Sequence, residues 1–404
     1  REHHPASPFF ALALLMTILA ANPAAAQYSF DWDITWQAAV KDLLELEDFT
    51  THITNTAAVT DSFKVTLVKD MPLFWQATIC EGRVCFPPSV TVHTFVLGPG
   101  ESTNLDFAIT AAIDEGRGSS IATVESLSNP AVTETNPFTV ITSGHDILIV
   151  DAAENQEYVT YYQEALDSSG YTHAAWGRDT MGIPTGADLA NFDAVVWYVG
   201  TNAPGLNVDD RASLMEYVAG GGNLFLSGQN LARDLCSPAS PHYTPESRAW
   251  FADLLGVDFQ ADAAASPLVY GVAGDPVTHG TVLSITGGDG ANNNTSPDEI
   301  LTLSNGATAL TYDNGPTAGA RGAYREGRTF FMAFAFEGIG AANQREVLMT
   351  GAVDWLISRA SAAGEDVHPL LARNLSVTPN PFNPQTSLRF EVGGSRSVDT
   401  EVVI

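Results

Sequence analysis

Gly220-Gly-Gly-Asn-Leu-Phe-Leu-Ser-Gly-Gln-Asn-Leu-Ala232 is the stretch on which the reading of this chain turns. Three successive glycines stop a helix, since glycine accepts the left-handed backbone that helix C-termini adopt. The apolar run Leu224–Leu226 then reads as a short buried strand. It breaks at Ser227-Gly228-Gln229 into a tight turn and a new helix. An α/β enzyme places its nucleophile at such a strand–turn–helix junction. Here the turn carries no cysteine, and its one hydroxyl, Ser227, has no evident base beside it.

Working outward, the same style of segment recurs. Asp146-Ile-Leu-Ile-Val-Asp151 is a continuous apolar strand ending in a carboxylate, as central parallel strands do. Tyr158, Tyr162, Ala165 and Leu166 follow at helical spacing, and Gly170 closes that helix. Thr172–Trp176 and Asp193–Val199 are further strands, and Asp209 and Asp210 open a helix running to Ala219. Beyond the organising stretch, Glu246–Leu255 is a helix and Asp262–Asn305 reads as irregular, rich in glycine, asparagine and proline. Thr308–Tyr312 and Arg328–Phe336 return to strand, with Glu337 at the end of the latter, and Asn343–Arg359 is a closing amphipathic helix. Strands alternating with helices predict a parallel sheet covered on both faces, over residues 143–360.

Residues 27–142 carry a different pattern. Phe63–Val68, Val90–Val96, Leu105–Ile109 and Ile121–Val124 are short strands, separated by the turn chemistry of Gly98-Pro-Gly100 and Asp114-Glu-Gly116. That spacing predicts an antiparallel β-sandwich. Cys80 and Cys85, in Cys-Glu-Gly-Arg-Val-Cys, read as a disulfide closing a hairpin, the alternative being half of a metal site. Cys236 is a buried small apolar residue on this reading. Trp32, Trp36 and Trp75 are expected in the core, the competing reading being a sugar-binding platform.

Composition narrows the function. The 404 residues carry a formal charge of −29, and lysine occurs only at Lys41, Lys64 and Lys69. That field repels nucleic acid and anionic membrane and is compatible with calcium. Phe9–Ala21, after Arg1 and before Ala24-Ala25-Ala26, has the form of a secretory signal and, at about thirteen residues, is too short for a bilayer span. Cleavage is expected near Ala26–Gln27, with no span in the mature chain and a secreted or cell-surface location. The opening Arg and the ending at Val402-Val-Ile404 lead us to expect a longer reading frame.

Three resemblances follow from these residues. Trp75, the Cys80/Cys85 pair and Pro99-Gly100-Glu101 resemble, in that order, the Ig-like modules of secreted bacterial proteins. Asp146–Asp151 with its helix, the Val199-Gly-Thr-Asn-Ala-Pro-Gly205 loop, the Ser227 turn and Phe334-Ala-Phe-Glu337 together resemble the class I glutamine amidotransferase-like fold. Catalytic members have a Gly-x-Cys-x-Gly elbow and a His-x-Glu pair. Here the elbow reads Leu226-Ser-Gly-Gln229 and no histidine precedes Glu337, so the resemblance implies a non-catalytic copy. After a linker at 361–373, Asn374–Phe390 with its Asn380-Pro-Phe-Asn-Pro384 turn resembles the flagellar hook-capping-type Ig-like domain and type IX sorting domains. That implies sorting or surface attachment by a partial C-terminal sandwich at 374–404.

The candidate chemistry is therefore sparse. A hydrolytic site acting on an amide, ester or glycan would use Ser227 with His279 or Glu337. Gln229 is read as a cap for the following helix, and Glu337 as a partner of nearby backbone amides. Asp151 and Glu154 lie at a strand's C-terminal end, where open α/β sheets bind ligands, and are the candidate calcium ligands. Gly287–Thr295 is oxygen-rich but lacks EF-hand spacing and reads as a flexible loop. Neither His-Glu-x-x-His nor Gly-x-Ser-x-Gly occurs. The expected protein binds or assembles through an unidentified protein or glycan partner. The runner-up readings are the hydrolase and an accessory region of a longer secreted peptidase.

Overall fold

The computed structural model describes residues 27–358, apart from 155, 263 and 265, and the backbone alone of Ala372–Thr378 and Ser387–Val392. The signal-like segment, the linker up to 371 and the Asn380–Pro384 turn lie outside the described residues. The described chain is mostly β.

Alternation builds the first unit. In Asp61–Asp70 the side chains of Phe63, Val65 and Leu67 are buried, while Lys64 and Thr66 between them are half-buried. A strand sends successive side chains to opposite faces, so one face becomes core and the other stays wet. Two such sheets form a β-sandwich. One has the order Phe30–Ile34, Thr51–Asn55, Ser102–Thr110, Gln76–Glu81, Val84–Cys85, with Leu46–Phe49 also on Ser102–Thr110. The other runs Ala38–Lys41, Thr133–Thr142, Arg117–Ser126, Asp61–Asp70, Val92–Leu97. Phe49, Phe63, Phe107 and Phe138 meet between them, each buried ring contributing roughly 2 kcal/mol.

Cys80 and Cys85 are disulfide-bonded across the two strands of one hairpin, where Gly82 takes the positive φ of the turn. The loop it closes is short, so the chain-entropy model gives it only about 2 kcal/mol. Replacing both by serine should lower the thermal midpoint by a few degrees without loss of fold; a variant unable to fold would show that the bridge does more than restrict the unfolded chain. Trp32 and Trp75 sit in the core, but Trp36 does not. It is exposed, with its indole N–H donating to Glu47 Oε1 at 2.7 Å.

In the second unit, His173–Gly177, Ile147–Asp151, Ala194–Tyr198, Asn223–Ser227 and Gly327–Met332 pair side by side in that order, all parallel. Antiparallel strands continue the sheet through Thr317–Tyr324, Gly306–Tyr312, Leu268–Gly271 and Val282–Ser284. Along each parallel strand the buried residues divide between two apolar clusters. Leu148, Val150, Val195, Trp197, Leu224 and Leu226 join one. Ile147, Ile149, Ala194, Val196 and Phe225 join the other. Helices Val208–Ala219 and Pro245–Leu255 supply side chains to the first cluster. Helices Val159–Ser169 and Ala342–Ile357 supply the second. Ala38, Val40 and Ile141 of the sandwich join the first cluster, and Val40 N–H donates to Asp188 Oδ1.

Two expectations need correction. The segment 262–305 is not irregular throughout. It contains the short strands Leu268–Gly271 and Val282–Ser284, which pair with each other, and Glu299–Thr302, and the segment joins the rest of the sheet through Gly306–Tyr312, Val257–Ala261 and Thr317–Tyr324. The last parallel strand ends at Met332, so Glu337 stands not at a strand end but inside the 3-10 turn Phe336–Gly338.

Candidate functional site

The strand Asn223–Ser227 ends against a wall. Ser227 is fully buried. Its Oγ accepts from Phe336 N–H at 2.9 Å and donates to Phe334 C=O at 3.2 Å. The hydroxyl is thus committed to the backbone of the segment after the last parallel strand, which it holds in place. Gly228 is required by close approach, because a Cβ there would lie 2.3 Å from Val199 Cγ2. Asn230 then takes a left-handed backbone (φ 65°) and offers no side-chain cap to the helix Leu231–Cys236.

Gln229 does not cap that helix either. Its Nε2 donates to Asn293 C=O at 2.6 Å, and its Oε1 accepts from Thr295 and Ser296 N–H at 2.9 and 2.8 Å. One buried amide thereby ties down the 293–296 loop. The cap comes from Asp298, 65 residues along the chain, whose Oδ2 accepts from Arg233 N–H at 3.0 Å. Asp298 is fully buried, and burial pushes its carboxyl up to about 7.

Glu337 is fully buried, and two side chains are the leading partners of its carboxyl, with its own backbone N–H a lesser one. Tyr162 OH donates to its Oε2 at 2.6 Å, and Asn293 Nδ2 donates to its Oε1 at 2.7 Å. Burial raises the Glu337 carboxyl above the usual range, against the lowering effect of these hydrogen bonds. Burial likewise pushes the Tyr162 phenol well up. Tyr162 stacks on Tyr198 at 4.2 Å, and the Tyr198 hydroxyl, buried beside Asp151, has no partner of ordinary geometry. Asn293 and Asn294 make the 287–295 stretch a fixed loop. Asn294 alone bonds the carbonyls of Ile285 and Ala335 and the N–H of Ala335.

The remaining candidates are dispersed. His279 is exposed in the 275–280 turn, where its Nδ1 accepts from Gly274 N–H at 3.0 Å, and it has no hydrogen bond to Ser227. Asp151 is half-buried and raised by burial, its Oδ1 accepting from Ala153 N–H. Glu154 is exposed and paired with Arg178 at 2.5 Å. The same guanidinium holds buried Asp210 at 2.7 Å. The Glu154 charge is therefore already answered. Among the described residues no group of three or more His, Cys, Asp or Glu side chains is placed to hold a metal ion.

Sequence reading missed Tyr162 as a polar partner, Asn293 as a donor and Asp298 as a cap. For Asp298, a carboxylate next to Pro297 and ahead of a strand gave no signal, because its partner is a backbone amide 65 residues away. A cavity of about 910 Å³ opens elsewhere, lined among others by Phe192, Asp193, Tyr217, Gly222 and Arg328. Phe192 and Asp193 precede the strand Ala194–Tyr198, Gly222 precedes Asn223–Ser227 and Arg328 stands at the start of Gly327–Met332, so the cavity lies at the opposite end of these parallel strands from Ser227.

No family model and no curated protein matches the chain. Among solved structures, it is similar to the N-terminal domain of PorA (15% identity, 29% of this chain and 98% of that one, TM-score 0.24). It is also similar to the ASH/PapD-like domain 7 of human CEP192 (13%, 33% and 96%, TM-score 0.19). A third is the exo-β-1,4-mannosidase Op5Man5 from Opitutaceae bacterium strain TAV5 (12%, 52% and 35%, TM-score 0.33). No helix of the described residues is long and apolar enough to cross a membrane.

Proposed function

We propose that this is a secreted or surface-attached bacterial protein that works by binding or assembly. On this reading residues 143–360 are a three-layer α/β unit of the glutamine amidotransferase-like type without catalytic activity. The Ig-like sandwich at 27–142 precedes it, and 374–404 begin a sorting or attachment module. The observation that carries the reading is the Ser227 hydroxyl, buried and held between the Phe336 N–H and the Phe334 C=O. A nucleophile needs a base within hydrogen-bond reach and a lone pair free to attack. The Ser227 proton is directed at a backbone carbonyl rather than at a histidine or carboxylate, and Glu337, which a hydrolase would recruit, is engaged by Tyr162 and Asn293. The Cys80–Cys85 disulfide supports an oxidising compartment, together with the signal-like Phe9–Ala21.

The purified chain, Ser227→Ala and Glu337→Gln should all give blank traces on a panel of glutamine, esters, amides, peptides and glycans. Turnover by the parent that either substitution abolishes, with the fold intact, would replace this reading by the hydrolase.

A further inference from the structure

Three loops at one end of the sandwich each raise a bulky apolar side chain on a left-handed backbone. They are Leu44 (φ 69°), Phe74 (φ 75°) and Ile113 (φ 72°). Residues with a Cβ rarely adopt this conformation, and for β-branched isoleucine it is an outlier. All three side chains are exposed, at 75%, 59% and 64%. Backbone strain that places an apolar side chain in water gains nothing for the fold, which makes such positions functional candidates.

The three loops are neighbours. Leu46 and Gln76 both register with Thr110, one on each edge of the strand Ser102–Thr110. Leu44 N–H donates to Ala111 C=O at 2.8 Å. Trp75, buried beneath, donates its indole N–H to Asp114 C=O at 3.0 Å and joins the second and third loops. Leu46, which opens the strand after the first loop, and Leu73 in the second loop are also exposed, so the apolar surface extends beyond the three tips. Around it stand exposed Asp42, Glu45, Asp114 and Glu115, against exposed Arg117. Lys41 is paired with Glu47 at 2.9 Å and adds no free positive charge.

We propose that this end of the sandwich docks a protein partner whose face is apolar at its centre and basic at its rim. Contiguous exposed apolar surface rimmed by polar residues is the usual form of an interaction site, and the acidic rim selects the partner's charge. The rim also disfavours a second copy of this chain, which would bring acid against acid. This inference does not depend on the reading of the α/β unit.

The probe is a labelled amphipathic Leu/Lys helical peptide, titrated by fluorescence anisotropy against the full chain at physiological ionic strength. A Ser/Lys peptide of equal charge and a Leu/Glu peptide run beside it. The expected result is binding of Leu/Lys alone, weakened about tenfold or more in Leu44→Asn/Phe74→Asn/Ile113→Asn. Asparagine tolerates the left-handed backbone, so this variant should melt no lower than the parent. Leu46→Ser/Leu73→Ser, which leaves those three backbones alone, should weaken binding in the same direction. Equal affinity of parent and both variants for Leu/Lys would overturn the proposal, as would equal binding of Ser/Lys or Leu/Glu. Flotation with phosphatidylcholine vesicles would overturn it in favour of a lipid surface. A dimer in sedimentation that the triple variant dissociates would overturn it in favour of self-association.

Discussion

Replacing Glu337 by alanine should destabilise the chain by about 3 kcal/mol or more, read as a shift of the urea midpoint at constant slope. The loss is larger than that of an ordinary hydrogen-bonded side chain because of what stays behind. Tyr162 OH and Asn293 Nδ2 donate to the two oxygens of this one carboxyl inside a dry region. Removing the acceptor leaves both donors buried without partners, and each orphaned group costs about 1–3 kcal/mol. Glu337→Gln keeps the shape and one acceptor and should cost only about 1 kcal/mol. The mechanism has a sharper signature in a double-mutant cycle. Tyr162→Phe should be costly in the parent and nearly neutral in the alanine background, where it removes an orphan rather than a bond. Strict additivity of the two substitutions would show that Tyr162 and Glu337 do not act through each other.

That network marks the boundary of what could be read from the chain alone. Strand and helix positions were legible where local pattern and burial agree. Ile147–Asp151 is buried along its length apart from its last residue and reads as an unbroken apolar run. Val159–Ser169 ends at Gly170, whose φ of 77° requires a residue without a Cβ penalty. In the sandwich, Phe63, Val65 and Leu67 alternate as a half-buried strand must. What fails is everything set by distant partners. Glu337 meets Tyr162 across 175 residues, and no periodicity encodes that pairing. The Asn292-Asn-Asn294 run has the composition of a loose loop, yet its amides are spent on carbonyls, Glu337 and an N–H. Ser227 is the hydroxyl of the turn. Its role as a staple between two backbone groups depends on where residues 334–336 pass, which only the fold decides. The strained tips at Leu44, Phe74 and Ile113 were invisible for the same reason, since nothing in the residue types asks for a positive φ.

Asp298 should make stability fall as pH rises from about 4 to about 7, the reverse of the usual carboxylate. Its native carboxyl is pushed up to about 7 first by burial, with Asp262 and Asp234 adding to the rise and the hydrogen bond from Arg233 N–H opposing it. An unfolded aspartate titrates near 3.9. Between these values the native state keeps a proton that the unfolded state has released, so raising the pH favours unfolding. Below that window both states are protonated and the difference vanishes; above it both are ionised and the full penalty is present. A rise of this size corresponds to something on the order of 4 kcal/mol across the window. The geometry agrees, because Asp298 Oδ1 is buried without a partner and neighbouring Asp234 has an unpartnered buried oxygen as well. Other groups titrate in the same range, so the informative quantity is the difference between the parent and Asp298→Asn. Asparagine can still accept from Arg233 N–H but carries no charge to desolvate. Urea unfolding at a series of pH values should show the variant gaining on the parent from pH 4 to pH 7, then holding a constant lead. A parent–variant difference that stays flat across the window would mean that Asp298 is ionised in the native protein throughout, with its buried oxygen satisfied by a partner other than a proton.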